Sequence, residues 1–196
     1  QLYVTIGSGY RAHPLDKNTN EAFFVIRDDS AYKDSAPEKE LEIGDLVNVG
    51  VGNPVKGDSP GWFYYLDVAP GEKVMSSPVV YDNTVFFSTY SPVGGTNEDS
   101  PCAVSLGSAY LHTVNLITGD PAKINNDGSV ASDRQEELLQ QVPPPTPVLF
   151  MDEDKIKVVV GTEVPAEGTP RDQRLRKTQW RQLEPNEANV IPVSKK

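Results

Sequence analysis

Apolar positions in this chain fall in short, nearly continuous runs, with no spacing of three and four residues sustained long enough to line one side of a helix. Three of the runs are variants of one phrase: Leu2-Tyr3-Val4-Thr5-Ile6-Gly7-Ser8, Thr84-Val85-Phe86-Phe87-Ser88-Thr89 and Lys157-Val158-Val159-Val160-Gly161-Thr162. Each is rich in β-branched or aromatic residues, which suit a pleated strand, and each closes on a Gly/Ser/Thr pair. The last two are preceded by a matching half. Ser77-Pro78-Val79-Val80-Tyr81 with Asp82-Asn83 parallels Thr146-Pro147-Val148-Leu149-Phe150 with Met151-Asp152-Glu153-Asp154, which predicts a repeated hairpin with polar tips. Ile6, Phe87 and Val160 then occupy equivalent places, 81 and 73 residues apart, a long period that accommodates inserted loops.

The remaining runs extend the units. Leu2–Ile6 is expected to pair with Ala22–Ile26 across a loop of turn-forming residues, and both strands read as buried on two faces because their apolar runs barely alternate. Gly61–Leu66 forms a further strand whose aromatic stripe is expected to pack, and Leu46–Val49 a short one. Ala109–Leu116 follows the second hairpin and stops at Thr118-Gly119-Asp120-Pro121. Ser132 and Gln135 stand at capping-box spacing before Glu136-Glu137-Leu138-Leu139, which predicts a helical turn ended by Pro143-Pro144-Pro145. Thr178–Leu183 is a last candidate strand. The reading is all-β, in three units of roughly 1–70, 71–141 and 142–185 with a polar tail over 186–196. A radial propeller closes with roughly 4–8 repeats, so about three blades of antiparallel strands are expected to be incomplete alone and to be finished by another segment or chain.

Composition narrows the function. Seventeen Pro and fifteen Gly fit short strands joined by punctuated loops. A net charge of −10 argues against unspecific nucleic-acid binding, which needs a surplus of Lys and Arg. No stretch approaches the roughly 20 apolar residues of a membrane-spanning helix. Gln1 opens directly into a strand-like run, the expected look of a cleaved product or an excised piece. The single cysteine, Cys102, has no internal disulfide partner: in an oxidising compartment its partner lies on another segment or chain, and the alternative is an unpaired buried thiol.

Candidate chemistry is sparse. His13 sits in a Pro-flanked loop and His112 inside a strand, neither beside a nucleophile motif, and alternation puts His112 on the face of Tyr110 and Val114 as a packed or edge histidine. The histidines and cysteine are too scattered for structural zinc. Asn125–Asp133 has the outline of a calcium loop, but with Gly128 as its glycine the first ligand position is Lys123 and the ninth Ala131, so a plain Asn-Asp-Gly turn is expected. Lys56-Gly57-Asp58 reads as a turn with the outline of an integrin-reading tripeptide. Arg171, Arg174, Arg176, Lys177 and Arg181 form a local basic stretch, suited to an acidic partner or to guarding a sheet edge. The expectation is a non-enzymatic protein with no catalytic, cofactor or metal residues in this segment.

One segment carries a family likeness. Ile6-Gly7-Ser8-Gly9-Tyr10-Arg11-Ala12-His13-Pro14-Leu15-Asp16, followed by Asn20 and Phe23–Asp28, resembles the signature of the PilC/PilY family of type IV pilus tip-associated adhesins. Gly61–Tyr64 with Gly71-Glu72-Lys73-Val74, Phe86–Pro92 with Cys102 and Gly107, and Val160–Thr162 with Trp180-Arg181 occur in the family's order. The resemblance implies a C-terminal modified β-propeller, quinoprotein-like in blade design without a quinone site. It implies a protein exported through the periplasm to the pilus tip or cell surface, which binds minor pilins, opposes pilus retraction and contributes to contact with host or abiotic surfaces. The family's calcium loop is not matched here, so no metal ligands carry over. The alternatives are a piece of a quinoprotein-type dehydrogenase, which the lone Cys102 disfavours because such enzymes usually carry a vicinal pair, and a generic extracellular propeller scaffold.

Overall fold

The computed structural model describes residues 2–29, 40–93, 107–125, 128–152 and 155–165. Cys102, the basic stretch at 171–181, the candidate strand Thr178–Leu183, and most of the loops at 91–107 and 165–177 lie outside them. The described residues are predominantly β, and their helical content is two single 3-10 turns, Ile43–Asp45 and Val49–Val51. No helix among them is long and apolar enough to cross a membrane.

In the first sheet β1 (Leu2–Gly7) pairs antiparallel with β2 (Ala22–Asp28), and β4 (Gly61–Tyr65) lies on the far side of β2. The two-residue β3 (Val47–Asn48) closes the other edge and runs parallel to β4. The second sheet is built around β7 (Thr84–Ser91) and β8 (Ser108–Asn115), paired along their full length. β5 (Lys73–Val74) and β6 (Val79–Tyr81) share one edge of β7, and β9 (Gln135–Leu138) borders β8. The third element is the hairpin of β10 (Val148–Asp152) and β11 (Lys155–Val159).

The repeated hairpin is present in both predicted places. Tyr81 faces Thr84 across Asp82-Asn83, whose φ angles of 45° and 58° give the left-handed turn that matches strand twist and that Asp and Asn tolerate best. In the other hairpin Asp152 pairs with Lys155. Three expectations are corrected. The sheets are not uniformly four-stranded and antiparallel: β3 is parallel, the second sheet has five strands, and the third shows two among the described residues. The helical turn after Ser132 is strand β9, because pairing sets Glu136 opposite Leu111 and Leu138 opposite Ala109, and burial of Leu138 outweighs local helix propensity. Finally β1 is not buried on two faces; every second residue, Leu2, Val4 and Ile6, is exposed.

The sheets stack face to face in chain order, with β7 in the middle. Its odd-numbered residues Val85 and Phe87 join Phe23, Val25, Trp62, Tyr64 and Val114 in a core against the first sheet, where the Phe23 and Phe87 rings stack 3.8 Å apart. Its neighbour Phe86 faces the opposite way and packs with Ala109, Leu111, Leu138, Val158 and Val160 beside the hairpin. Strand alternation thus makes one strand serve two cores.

Candidate functional site

Two features of this stack are candidates for function: a buried polar network between the first two sheets, and the outer face of the first sheet.

The network is centred on His112, which β8 directs toward the first sheet beside Phe87, its ring stacked on that phenyl at 4.6 Å. Its Nε2 lies 3.0 Å from Glu72 Oε1, and its Nδ1 2.9 Å from the Tyr64 hydroxyl on β4. Thr89 on β7 donates its hydroxyl to the same Glu72 oxygen at 2.6 Å, and the Val68 N–H reaches the other carboxylate oxygen at 3.2 Å. All four side chains are buried. A neutral His112 donates from Nε2 to the carboxylate and accepts the Tyr64 proton at Nδ1, and a protonated ring donates from both nitrogens.

Electrostatics hold the two acidic groups of the network in opposite states, Glu72 ionised and Tyr64 protonated. Burial works against the Glu72 carboxylate, but hydrogen bonding and charge from His112, then the Thr89 and Val68 bonds, outweigh it and hold the carboxyl below its ordinary range. Burial, with the Glu72 charge, pushes the Tyr64 hydroxyl well up against a smaller opposing pull from Arg134. Tyr64 is therefore protonated, and the network's polar atoms are spent on one another. Arg134 closes the network from outside: its guanidinium sits 5.3 Å from the Tyr64 ring centroid, while Nε donates to Gly119 O at 2.8 Å and Nη2 to Val49 O at 3.0 Å. A cavity of about 220 Å³ reaches Tyr64 and His112 between Asp67 and Asp133.

Below the network, Lys73 is fully buried and its ammonium donates to three main-chain carbonyls, of Asp16 at 2.6 Å, Gly71 at 2.9 Å and Pro14 at 3.3 Å. Burial lowers its pKa, with Asp16 and Glu21 opposing. Arg11 adds bonds to the carbonyls of Val74 and Ser76, both at 3.3 Å. Gly71, at φ 69°, lets the Asp16 carbonyl approach where a Cβ would stand 2.6 Å from it. The loop Gly7–Asp16 is thereby fastened to the second sheet, and it presents Tyr10 and His13, ring centroids 4.6 Å apart, to solvent.

The outer face of the first sheet carries Leu2, Val4 and Ile6 on β1, aligned with Ile26 and Phe24 on β2 and with Phe63 on β4. Beside Phe63 and Tyr65 an open groove of about 560 Å³ is lined by Ile43, Leu46, Val47 and Pro54. The repeat makes this face informative. Val4, Val85 and Val158 are equivalent and are 44%, 0% and 4% exposed; Ile6, Phe87 and Val160 are 53%, 0% and 0% exposed. In the second and third units these residues pack against the preceding sheet. In the first they meet solvent.

Of the residues singled out in the sequence, the structure brings His112 into the network, as a packed histidine, and leaves His13 on the surface loop. Lys56-Gly57-Asp58 is a turn, with Ser59 N–H donating to Lys56 O at 3.0 Å and Arg27 donating to Gly57 O. The described part of the Asn125–Asp133 loop is also turn-like: the Gly128 N–H bonds Asn125 O at 2.9 Å, and Ile124 bridges Val130. No group of three or more His, Cys, Asp or Glu side chains converges among the described residues. Glu72, Thr89, Tyr64 and Arg134 were not legible as partners of His112. Their only sequence signals are the Ser/Thr that ends each repeated phrase and the Gly71-Glu72-Lys73-Val74 segment. Comparison of the chain with models of protein families, with characterised proteins and with solved structures finds no match.

Proposed function

We propose that this chain is an arc of a modified β-propeller of the PilC/PilY kind, working as a non-enzymatic scaffold in type IV pilus assembly and surface contact outside the cell. The observation that carries the ring reading is the contrast at equivalent positions: Val4 and Ile6 stand exposed where Val85, Phe87, Val158 and Val160 are buried. Covering such side chains is worth about 1.5–3 kcal/mol each, so a further sheet of the same design is the natural occupant of that face. The pilus reading rests on the Gly7–Asp16 resemblance, and the fastening of that loop by Lys73 and Arg11 suits it to present contacts rigidly.

In this reading the stacked sheets supply stiffness, and the loops spanning residues 28–60, 91–107 and 165–177 carry partner-specific contacts with minor pilins. The test is surface plasmon resonance of the chain against purified minor-pilin ectodomains, with a variant lacking the 30–39 portion of the first loop. The expectation is saturable binding that weakens at least tenfold in the deletion. Absence of binding, or equal affinity of both proteins, refutes the pilin-scaffold reading.

A further inference from the structure

The cavity that reaches the buried network is walled by three segments far apart in the chain: residues 48–51 beside β3, residues 64–68 at the end of β4, and residues 132–135 leading into β9. At about 220 Å³ it is smaller than the roughly 300–1,000 Å³ of pockets that take drug-sized ligands, which limits an occupant to one small ring. Its floor is committed internally, with the Tyr64 hydroxyl bonded to His112 and His112 to Glu72.

The walls have bonding capacity left over. Arg134 is fixed by the carbonyls of Gly119 and Val49 and by the Tyr64 ring, yet those two bonds use two of its five N–H groups. Asp67 and Asp133 line the same cavity, and neither forms an ion pair with Arg134 among the described residues. Asp133 accepts from the Ser132 hydroxyl at 3.2 Å, and Asp67 makes no hydrogen bond among the described residues. Asn48 accepts the Gly50 N–H at its side-chain oxygen, 3.0 Å away, which fixes the amide and leaves its two N–H groups unspent. Positioned donors and carboxylate acceptors thus share one cavity without satisfying each other.

That distribution selects a class of ligand. A hydroxyl accepts from a guanidinium or amide N–H and donates to a carboxylate through the same oxygen, so a polyol bridges both kinds of wall. An anion would meet two carboxylates against one cation, with ionised Glu72 behind the floor. Val51, Leu66 and Val68 complete the lining with apolar surface suited to the C–H faces of a ring. We infer that this cavity binds one monosaccharide unit, whose hydroxyls accept from Arg134 and Asn48 and donate to Asp67 and Asp133. The fixed guanidinium and amide lower the ordering cost of binding. The site goes beyond the scaffold reading and does not depend on it.

The test is an NMR titration of the backbone amides of the full chain with glucose, galactose, mannose and N-acetylglucosamine to tens of millimolar, with glycine as a zwitterionic comparison. Saturable shifts are expected for at least one sugar, centred on residues 48–51, 64–68 and 132–135. Asp67→Asn removes a charge that no internal bond uses, so it should weaken that sugar at least fivefold with thermal unfolding unchanged, whereas Asp58→Asn, outside the cavity, should not. No saturable shift with any of the four sugars, shifts centred elsewhere, equal affinity in Asp67→Asn, or glycine binding as tightly as the sugar overturns the inference. The methyl glycoside of the sugar that binds identifies its source: retained affinity upholds the site as one for the end of a glycan chain, and lost affinity upholds it as one for the free sugar. Minor-pilin binding is measured separately, so failure of either proposal is distinguishable from failure of the other.

Discussion

Replacing Glu72 by Ala should be as damaging as removing a large core side chain between the first two sheets. The carboxylate is buried and accepts from Thr89, His112 and the Val68 N–H. Truncation leaves three donors without a partner at about 1–3 kcal/mol each, moderated by rearrangement to a total near the ~3–5 kcal/mol of a broken buried ion pair. At about 2–4 °C per kcal/mol for a chain of this size, thermal unfolding followed by circular dichroism should shift down by roughly 6–20 °C. The double variant with His112→Ala should cost less than the two single changes added, because the donor orphaned by the first is removed by the second. The pH dependence carries a sign. The folded carboxyl lies below its unfolded value of about 4.3, so its contribution is complete above that value and is lost as pH falls through the lower, folded one. Glu72→Gln, which keeps the shape, should flatten that part of the acid limb. A shift below about 3 °C, additive costs in the double variant, or an unchanged acid limb in Glu72→Gln would refute the account of the network.

Two further outcomes follow from the geometry. Val85→Ala should cost about 1.5 kcal/mol, near the value of two buried methylenes, while the equivalent Val4→Ala should change stability by less than about 0.5 kcal/mol; urea unfolding of both variants reads the difference. Lys73→Met should keep the bulk but lose the three carbonyl bonds, so limited trypsin digestion should cleave after Arg11 or Lys17 several times faster than in the parent, with β7 and β8 still protected.

Much of the fold was legible because it is locally coded. The Asp82-Asn83 turn, the pairing of Leu2–Ile6 with Ala22–Ile26, and the inward orientation of His112 all follow from alternation and turn chemistry within a few residues. What was not legible depends on distant neighbours. Residues 135–138 have helix-forming side chains, yet the edge of β8 converts them to a strand. The run at β1 reads as doubly buried because composition records what a strand is suited to meet, and the structure shows it meeting solvent. Glu72 lies in a Pro/Gly-rich connection, where a carboxylate ordinarily signals solvent; only the arrival of β8, forty residues later, gives it His112.

The parity of β7 has an evolutionary consequence. Phe86 and Phe87 are adjacent in the chain but belong to different cores, so inserting or deleting one residue within that strand would exchange the two and ruin both layers at once. Change in length is tolerable only in the connecting segments, and the unequal spacings of 81 and 73 residues between equivalent strands are what such selection leaves behind. Kinship with this chain should accordingly be sought by gap-free alignment of its strands, with the intervals between them left free to vary.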